Sequence, residues 1–159
     1  ERVPGVDLVE RLSAAAARYG LRVFFLGAQP GVAEAAAAKL RDRYAGLPVA
    51  GTYAGSPRPE DEEYILALIE QARPHVLFVA YGAPQQDLWI DRHRRRLGPC
   101  VAMGVGGAFD FISGRAQRAP RWLQRLGLEW LHRLVREPRR WRRMLALPRF
   151  VWAVVTERR

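Results

Sequence analysis

Residues 75–89 read HVLFVAYGAPQQDLW, and this stretch decides the fold class. The apolar run VLFVA has no polar alternation, which marks a strand covered on both faces rather than one half exposed to water. The strand is expected over His75–Tyr81. Gly82 ends it, and Pro84 suits the first position of a helix expected over 84–97, where its missing N–H costs nothing. A buried strand passing directly into a helix is the building unit of a parallel sheet.

The same alternation runs outward in both directions. Residues 7–19 (DLVERLSAAAARY) predict a helix and residues 22–27 (RVFFLG) a buried strand. After the Pro30-Gly31 turn, residues 31–45 are dense in Ala, the best helix former. A short strand is expected at Val49–Tyr53. A helix follows over 59–72, with Pro59 in its first turn and four acids, Glu60 to Glu63, at its positive end. Cys100–Val105 predicts a further strand ending in Gly-rich sequence. The fold class is therefore α/β: a Rossmann-like, mostly parallel sheet with helices on both faces.

Charge divides the chain in two. Residues 1–114 hold thirteen bases and thirteen acids, whereas residues 115–159 hold thirteen Arg and three acids. The whole net charge of +10 therefore sits in the last 45 residues, with Trp122, Trp130, Trp141 and Trp152. We expect a body at 1–114 and a basic, Trp-rich helical appendage at 115–159. Such a tail implies an anionic partner: phosphate, nucleic acid or a membrane surface. The single cysteine excludes an internal disulfide framework, and a reducing compartment fits best. The chain opens at Glu1 rather than Met, which predicts processing or a longer parent chain.

Ligands of an open parallel sheet bind at the carboxyl ends of its strands, so three segments are candidates. Gly27–Gly31 (GAQPG) is either half of a nucleotide loop or a plain tight turn. In Gly82–Trp89 (GAPQQDLW) the helix N-terminus would point free N–H groups at the ligand edge. Gln85 and Gln86 are either polar donors and acceptors for that ligand or solvated first-turn residues. In Gly104–Gly114 (GVGGAFDFISG), Gly104, Gly106 and Gly107 permit close backbone approach, but Phe109 stands where the dinucleotide fingerprint needs glycine. Asp110 is either a helix cap or an acceptor for a nucleobase or ribose.

In the appendage, residues 121–136 predict a helix with Trp122, Leu126, Trp130 and Leu134 on one stripe. Arg133 falls inside that stripe. It needs either an ion pair with Glu129 or Glu137 or a diphosphate oxygen. Arg139, Arg140 and Arg143 cluster on the next helix as a solvated face or an anion site. The apolar run at 144–155 contains Pro148 and Arg149 and is too short to span a bilayer. It could lie in the interface, with Trp152 at headgroup depth. His75, His93 and His132 show no ligand spacing, so no metal is expected, and no Ser or Cys has a nucleophile motif.

Five segments in this order resemble the bacterial WecG/TagA/CpsF glycosyltransferase family: ERVPGVDL at 1–8, RVFFLGAQPG at 22–31, GAPQQDLWI at 82–90, GVGGAFDFISG at 104–114 and RAPRWLQRLGLEWLHRLVREPRRWRR at 118–143. The resemblance implies an inverting, metal-independent transferase that uses no cofactor. It would move an N-acetylmannosamine-type sugar from UDP to a GlcNAc-diphosphate-polyprenol, feeding teichoic acid or polysaccharide biosynthesis. It also implies a peripheral place at the cytoplasmic face of the membrane, and it leaves room for a homo-oligomer. By the same resemblance, Arg2, Gly82, Gln86, Gly106, Gly107 and Asp110 would bind the UDP-sugar, with Arg2 and Gln86 supporting catalysis. Arg133, Arg140 and Arg143 would close over the diphosphate. Asp87 stands where the family has Glu. The family's Asp-Gly motif, whose aspartate is the proposed base, has no match in these residues, so the base is expected outside them. Two other readings of the tail stay open: a nucleic-acid-binding module, and a catalytically inactive membrane-associated partner protein.

Overall fold

The structure is a computed structural model that describes residues 5–116. In chain order its elements are α1 (Gly5–Tyr19), β1 (Val23–Gly27), α2 (Val32–Arg43), β2 (Val49–Tyr53), α3 (Pro59–Ala72), β3 (Val76–Ala80), α4 (Gln85–His93), β4 (Val101–Gly104) and α5 (Ala108–Ile112). The strands form one parallel sheet in the order β2-β1-β3-β4. In the centre, Val23 pairs with Val76 and Gly27 with Ala80. β1 and β3 are buried at every position, as their continuous apolar runs require.

Each face of the sheet carries its own core. On one side, Phe25 and Phe78 pack against Val9 of α1, Ala36 and Leu40 of α2, and Phe109 of α5. The rings of Phe25 and Phe109 lie 5.4 Å apart, those of Phe25 and Phe78 5.6 Å. On the other side, Phe24, Leu26, Leu77 and Val79 meet Ile65, Leu66 and Ile69 of α3 and Trp89 of α4. The alternation of strand side chains thus divides the buried residues between the two helical layers.

Several element boundaries differ from the sequence expectation. α2 starts after Gly31, its cap at φ 81°, and stops at Arg43. The Tyr44 hydroxyl just beyond it donates to Glu10 of α1 at 2.8 Å. α4 ends at His93, not 97. The Arg96 N–H bonds back to the His93 carbonyl, and Gly98 at φ 68° turns the chain toward β4. Pro84 is the residue before the helix rather than its first member. α5 was not expected as an element, because five residues are too few for a periodic signal.

The acids Glu62 and Glu63 do more than face the positive end of α3. Glu62 pairs with Arg92 and lies 3.3 Å from His93 Nε2, while Glu63 pairs with Arg96 at 2.6 Å. These contacts fasten α3 to α4. Arg2, Arg133, Arg140 and Arg143, with the helices expected in the appendage and its tryptophans, lie outside the described residues.

Candidate functional site

Three loops meet at the carboxyl edge of the sheet. The loop after β1 is held to β3: the Ala28 N–H donates to the Ala80 carbonyl at 3.1 Å. Gly27 has φ 98°, and a Cβ there would stand 2.9 Å from the Ala80 carbonyl carbon. Glycine is therefore required twice, for conformation and for close approach. The loop after β4 leaves the sheet through the Val105 N–H, which donates to Val79 at 2.8 Å.

Gln86 joins the second loop to the third. Its side chain is 7% exposed, and Oε1 accepts the Gly106 N–H at 2.9 Å. Gly106 has φ 54°, so the turn it makes favours glycine. Gly104 leaves room for the contact: a Cβ there would lie 2.7 Å from Gln86 Cδ and 2.8 Å from Asp87 Oδ1. The sequence offered Gln85 and Gln86 together; only Gln86 turns inward, and Gln85 is exposed.

Two expectations fail here. The N-terminus of α4 does not present a row of free amides. The Gln86 N–H bonds to Gly82, and those of Asp87 and Leu88 bond to Pro84. Nor is Asp110 a helix cap. The cap of α5 is Gly107, and Asp110 is the third residue of the helix. Its main-chain carbonyl accepts from Ser113 Oγ and the Ala116 N–H, while its half-buried carboxylate makes no hydrogen bond or ion pair with the described residues. Asp110 thus keeps the acceptor capacity that the other reading required.

The loop after β1 is more than a tight turn. Pro30, Gly31 and Val32 line a cavity of about 410 Å³ with Ser113, Gly114 and Arg115. Gly31 offers no side-chain cap to α2, whose Val32 N–H bonds back to the Gln29 carbonyl and whose Ala35 N–H bonds to Gly31. Lys39 of α2 donates to the Ser113 carbonyl at 2.7 Å and fixes the opposite wall. Sequence reasoning missed this wall because Ser113, Gly114 and Arg115 form no motif.

Around the site, Tyr81 follows β3 and its ring meets Trp89 at 6.0 Å. Burial pushes its hydroxyl well above the ordinary range, with Asp61 and Tyr53 adding to the shift. That phenol is a neutral group throughout the physiological range. No cluster of three or more His, Cys, Asp or Glu that could hold a metal occurs among the described residues. His75 Nδ1 accepts the Arg22 N–H, and His93 Nε2 lies 3.3 Å from Glu62 without a hydrogen bond among the described residues. No helix of the described residues is long and apolar enough to cross a membrane.

The profile of the Glycosyl transferase WecG/TagA/CpsF family matches residues 1–159. The chain is 35% identical over 156 residues to the N-acetylglucosaminyldiphosphoundecaprenol N-acetyl-beta-D-mannosaminyltransferase of Bacillus subtilis (strain 168), covering 98% of this chain and 60% of that protein. It is 37% identical over 158 residues to the protein of the same name from Bacillus spizizenii, covering 99% and 61%. The chain thus spans about 60% of the length of these relatives.

Proposed function

Because the chain belongs to the WecG/TagA/CpsF glycosyltransferase family, we propose that it is the nucleotide-binding part of an inverting transferase. The donor is a UDP-linked N-acetylmannosamine-type sugar and the acceptor a GlcNAc-diphosphate-polyprenol. Products of this kind feed teichoic acid or surface polysaccharide synthesis. The observation that carries the reading is the Gln86–Gly106 bond, which shapes the Gly-rich turn leading into α5, where the half-buried Asp110 stands.

In this reading the uridine lies against Gly106, Gly107 and Asp110, whose carboxylate accepts from the nucleoside. The diphosphate lies toward the first turn of α2 and Arg115, where amides and a guanidinium oppose its charge. An acceptor hydroxyl attacks the anomeric carbon as its bond to UDP breaks. The electron pair leaves on the β-phosphate oxygen, and a base takes the hydroxyl proton. No residue of this chain is assigned as that base. Preorganised donors around the leaving diphosphate lower the barrier without moving. Arg2 supports the sugar-nucleotide, and Arg133, Arg140 and Arg143 oppose the diphosphate. The basic residues 115–159 hold the protein at the cytoplasmic face of an anionic membrane, as a monomer or a homo-oligomer.

Calorimetry with UDP, UMP and NAD tests the nucleotide assignment. UDP should bind tightest, and Asp110→Ala should weaken it by about 1–3 kcal/mol with the fold intact. Equal or tighter binding of NAD rejects it. Co-sedimentation with anionic and neutral vesicles tests the tail. Binding should need anionic lipid, fall with salt and disappear without residues 115–159. Tight polynucleotide binding with no vesicle binding at the same ionic strength would overturn the membrane role.

A further inference from the structure

The opposite pole of the sheet carries a second cavity. It has a volume of about 330 Å³ and opens where β1, β3 and β4 begin, far along the strands from the loops just described. Ile69, Pro74, Leu97 and Pro99 give it apolar walls. Its polar side chains are Arg22, Arg73, His75, Arg96 and Glu70.

Four of those five are hydrogen-bond donors. Glu70, the one carboxylate, pairs with Arg96 at 3.5 Å. His75 Nδ1 accepts the Arg22 backbone N–H at 2.9 Å. A ring nitrogen that accepts carries no proton, so the neutral imidazole has its hydrogen on Nε2 and offers a donor there. The Arg22 guanidinium donates through Nε to the Arg73 carbonyl at 2.9 Å, covering the carbonyl end of α3 that would repel an anion. The guanidinium of Arg73 makes no ion pair or hydrogen bond with the described residues. Three guanidinium groups and one imidazole therefore line an apolar-walled space whose one carboxylate is paired with Arg96.

Arg73 also holds an unusual backbone. It caps α3 at φ 43°, ψ 58°, the left-handed region where glycine is the usual cap. A long cationic side chain is kept at a position whose backbone favours none.

The geometry points to a binding site for a small organic oxyanion, a phosphate or carboxylate carrying an apolar ring or chain, with Arg73 and His75 on the anionic group and Ile69, Leu97 and Pro99 against the apolar part. This site is separate from the carboxyl-edge site and does not depend on its assignment. The cavity is large enough for a phosphate joined to a six-membered ring and too small for a nucleoside diphosphate sugar.

Phenyl phosphate and inorganic phosphate are the probes, titrated into the 159-residue chain and followed by amide resonances. Phenyl phosphate should saturate, bind several-fold tighter than inorganic phosphate, and shift Arg73, His75 and Gly98 rather than Gly31 and Gly106. Arg73→Gly removes the guanidinium at a backbone that glycine prefers. It should cut the affinity at least tenfold while the thermal midpoint stays equal or rises. Arg73→Lys should retain part of the affinity. Equal affinity of Arg73→Gly and wild type, shifts confined to the carboxyl edge, or no saturation in the millimolar range would each overturn the proposal.

Discussion

Gln86 and Gly106, twenty residues apart in sequence, are joined by one hydrogen bond of 2.9 Å from a backbone N–H to a buried side-chain oxygen. The bond ties the first turn of α4 to the turn after β4, so two of the three carboxyl-edge loops behave as one piece. Its partner Gly106 sits at φ 54°, a conformation that favours glycine.

Gln86→Ala should therefore destabilise the fold by about 1–3 kcal/mol, because the Gly106 N–H loses its acceptor. Gln86→Glu keeps an oxygen in place but buries a charge beside Asp87, so it should recover only part of the loss. Urea unfolding of the three proteins measures it. An alanine variant as stable as wild type would mean that water replaces the side chain at no cost.

Gly27 and Gly46 separate two costs of adding a methyl group. Both have positive φ, 98° and 82°, but a Cβ at Gly27 meets the Ala80 backbone at 2.9 Å, whereas one at Gly46 meets nothing within 4 Å. Gly46→Ala should cost about 1–2 kcal/mol from backbone conformation alone. Gly27→Ala should cost about 2–4 kcal/mol, since the main chain of β3 must also shift. Equal unfolding midpoints for the two variants would contradict the close approach of β1 and β3 loops.

The ion pair between α3 and the turn after α4 makes stability pH-dependent. The Arg96 guanidinium, by hydrogen bond and then by charge, holds the Glu63 carboxyl below its ordinary value of 4.5. A carboxyl lowered in the folded state contributes stability above its unfolded pKa and loses it as pH falls through the folded pKa. Arg96 stays charged throughout this window. Wild type should therefore lose stability more steeply than Glu63→Gln as pH falls from neutrality to below 4.5, and the two curves should converge in acid. Both groups are solvent-exposed, so the difference should be small and shrink in high salt. Parallel curves would show that the pair contributes nothing.

The sheet was legible because its strands are buried on both faces: VFFL and VLFVA admit few other readings. Helix starts at Pro59 and Gly31 were legible for the same kind of local reason. What the sequence hid was pairwise and long-range. Gln86 and Gln85 are identical in type, and only the proximity of Gly104 and Gly106 decides which one turns inward. Likewise, GAPQQ predicts an open helix end, but the Gly82 and Pro84 carbonyls close it. The cavity at Gly31 depends on Ser113 and Arg115, eighty residues away and without any pattern of their own. Arg73 lies at a helix end where nothing local in the sequence signals its left-handed backbone.

β4 has one neighbour among the described residues, and its free edge supports a last prediction. Its Val101 N–H donates to His75 and the Val105 N–H just beyond it donates to Val79. Successive residues of a parallel strand point their amides to alternate sides. Ala102 and Gly104 therefore direct N–H and C=O away from β3. Val101 itself is 64% exposed. Proline removes an N–H and is tolerated on an edge strand where that N–H is unpaired, but not inside a sheet. Ala102→Pro should thus cost less than about 1 kcal/mol, while Phe78→Pro in β3, bonded on both sides, should cost roughly 3 kcal/mol or more. Circular dichroism at increasing urea compares them directly. If Ala102→Pro unfolds the protein as readily as Phe78→Pro, then the Ala102 amide is paired, and β4 is an interior strand with a partner on its outer side.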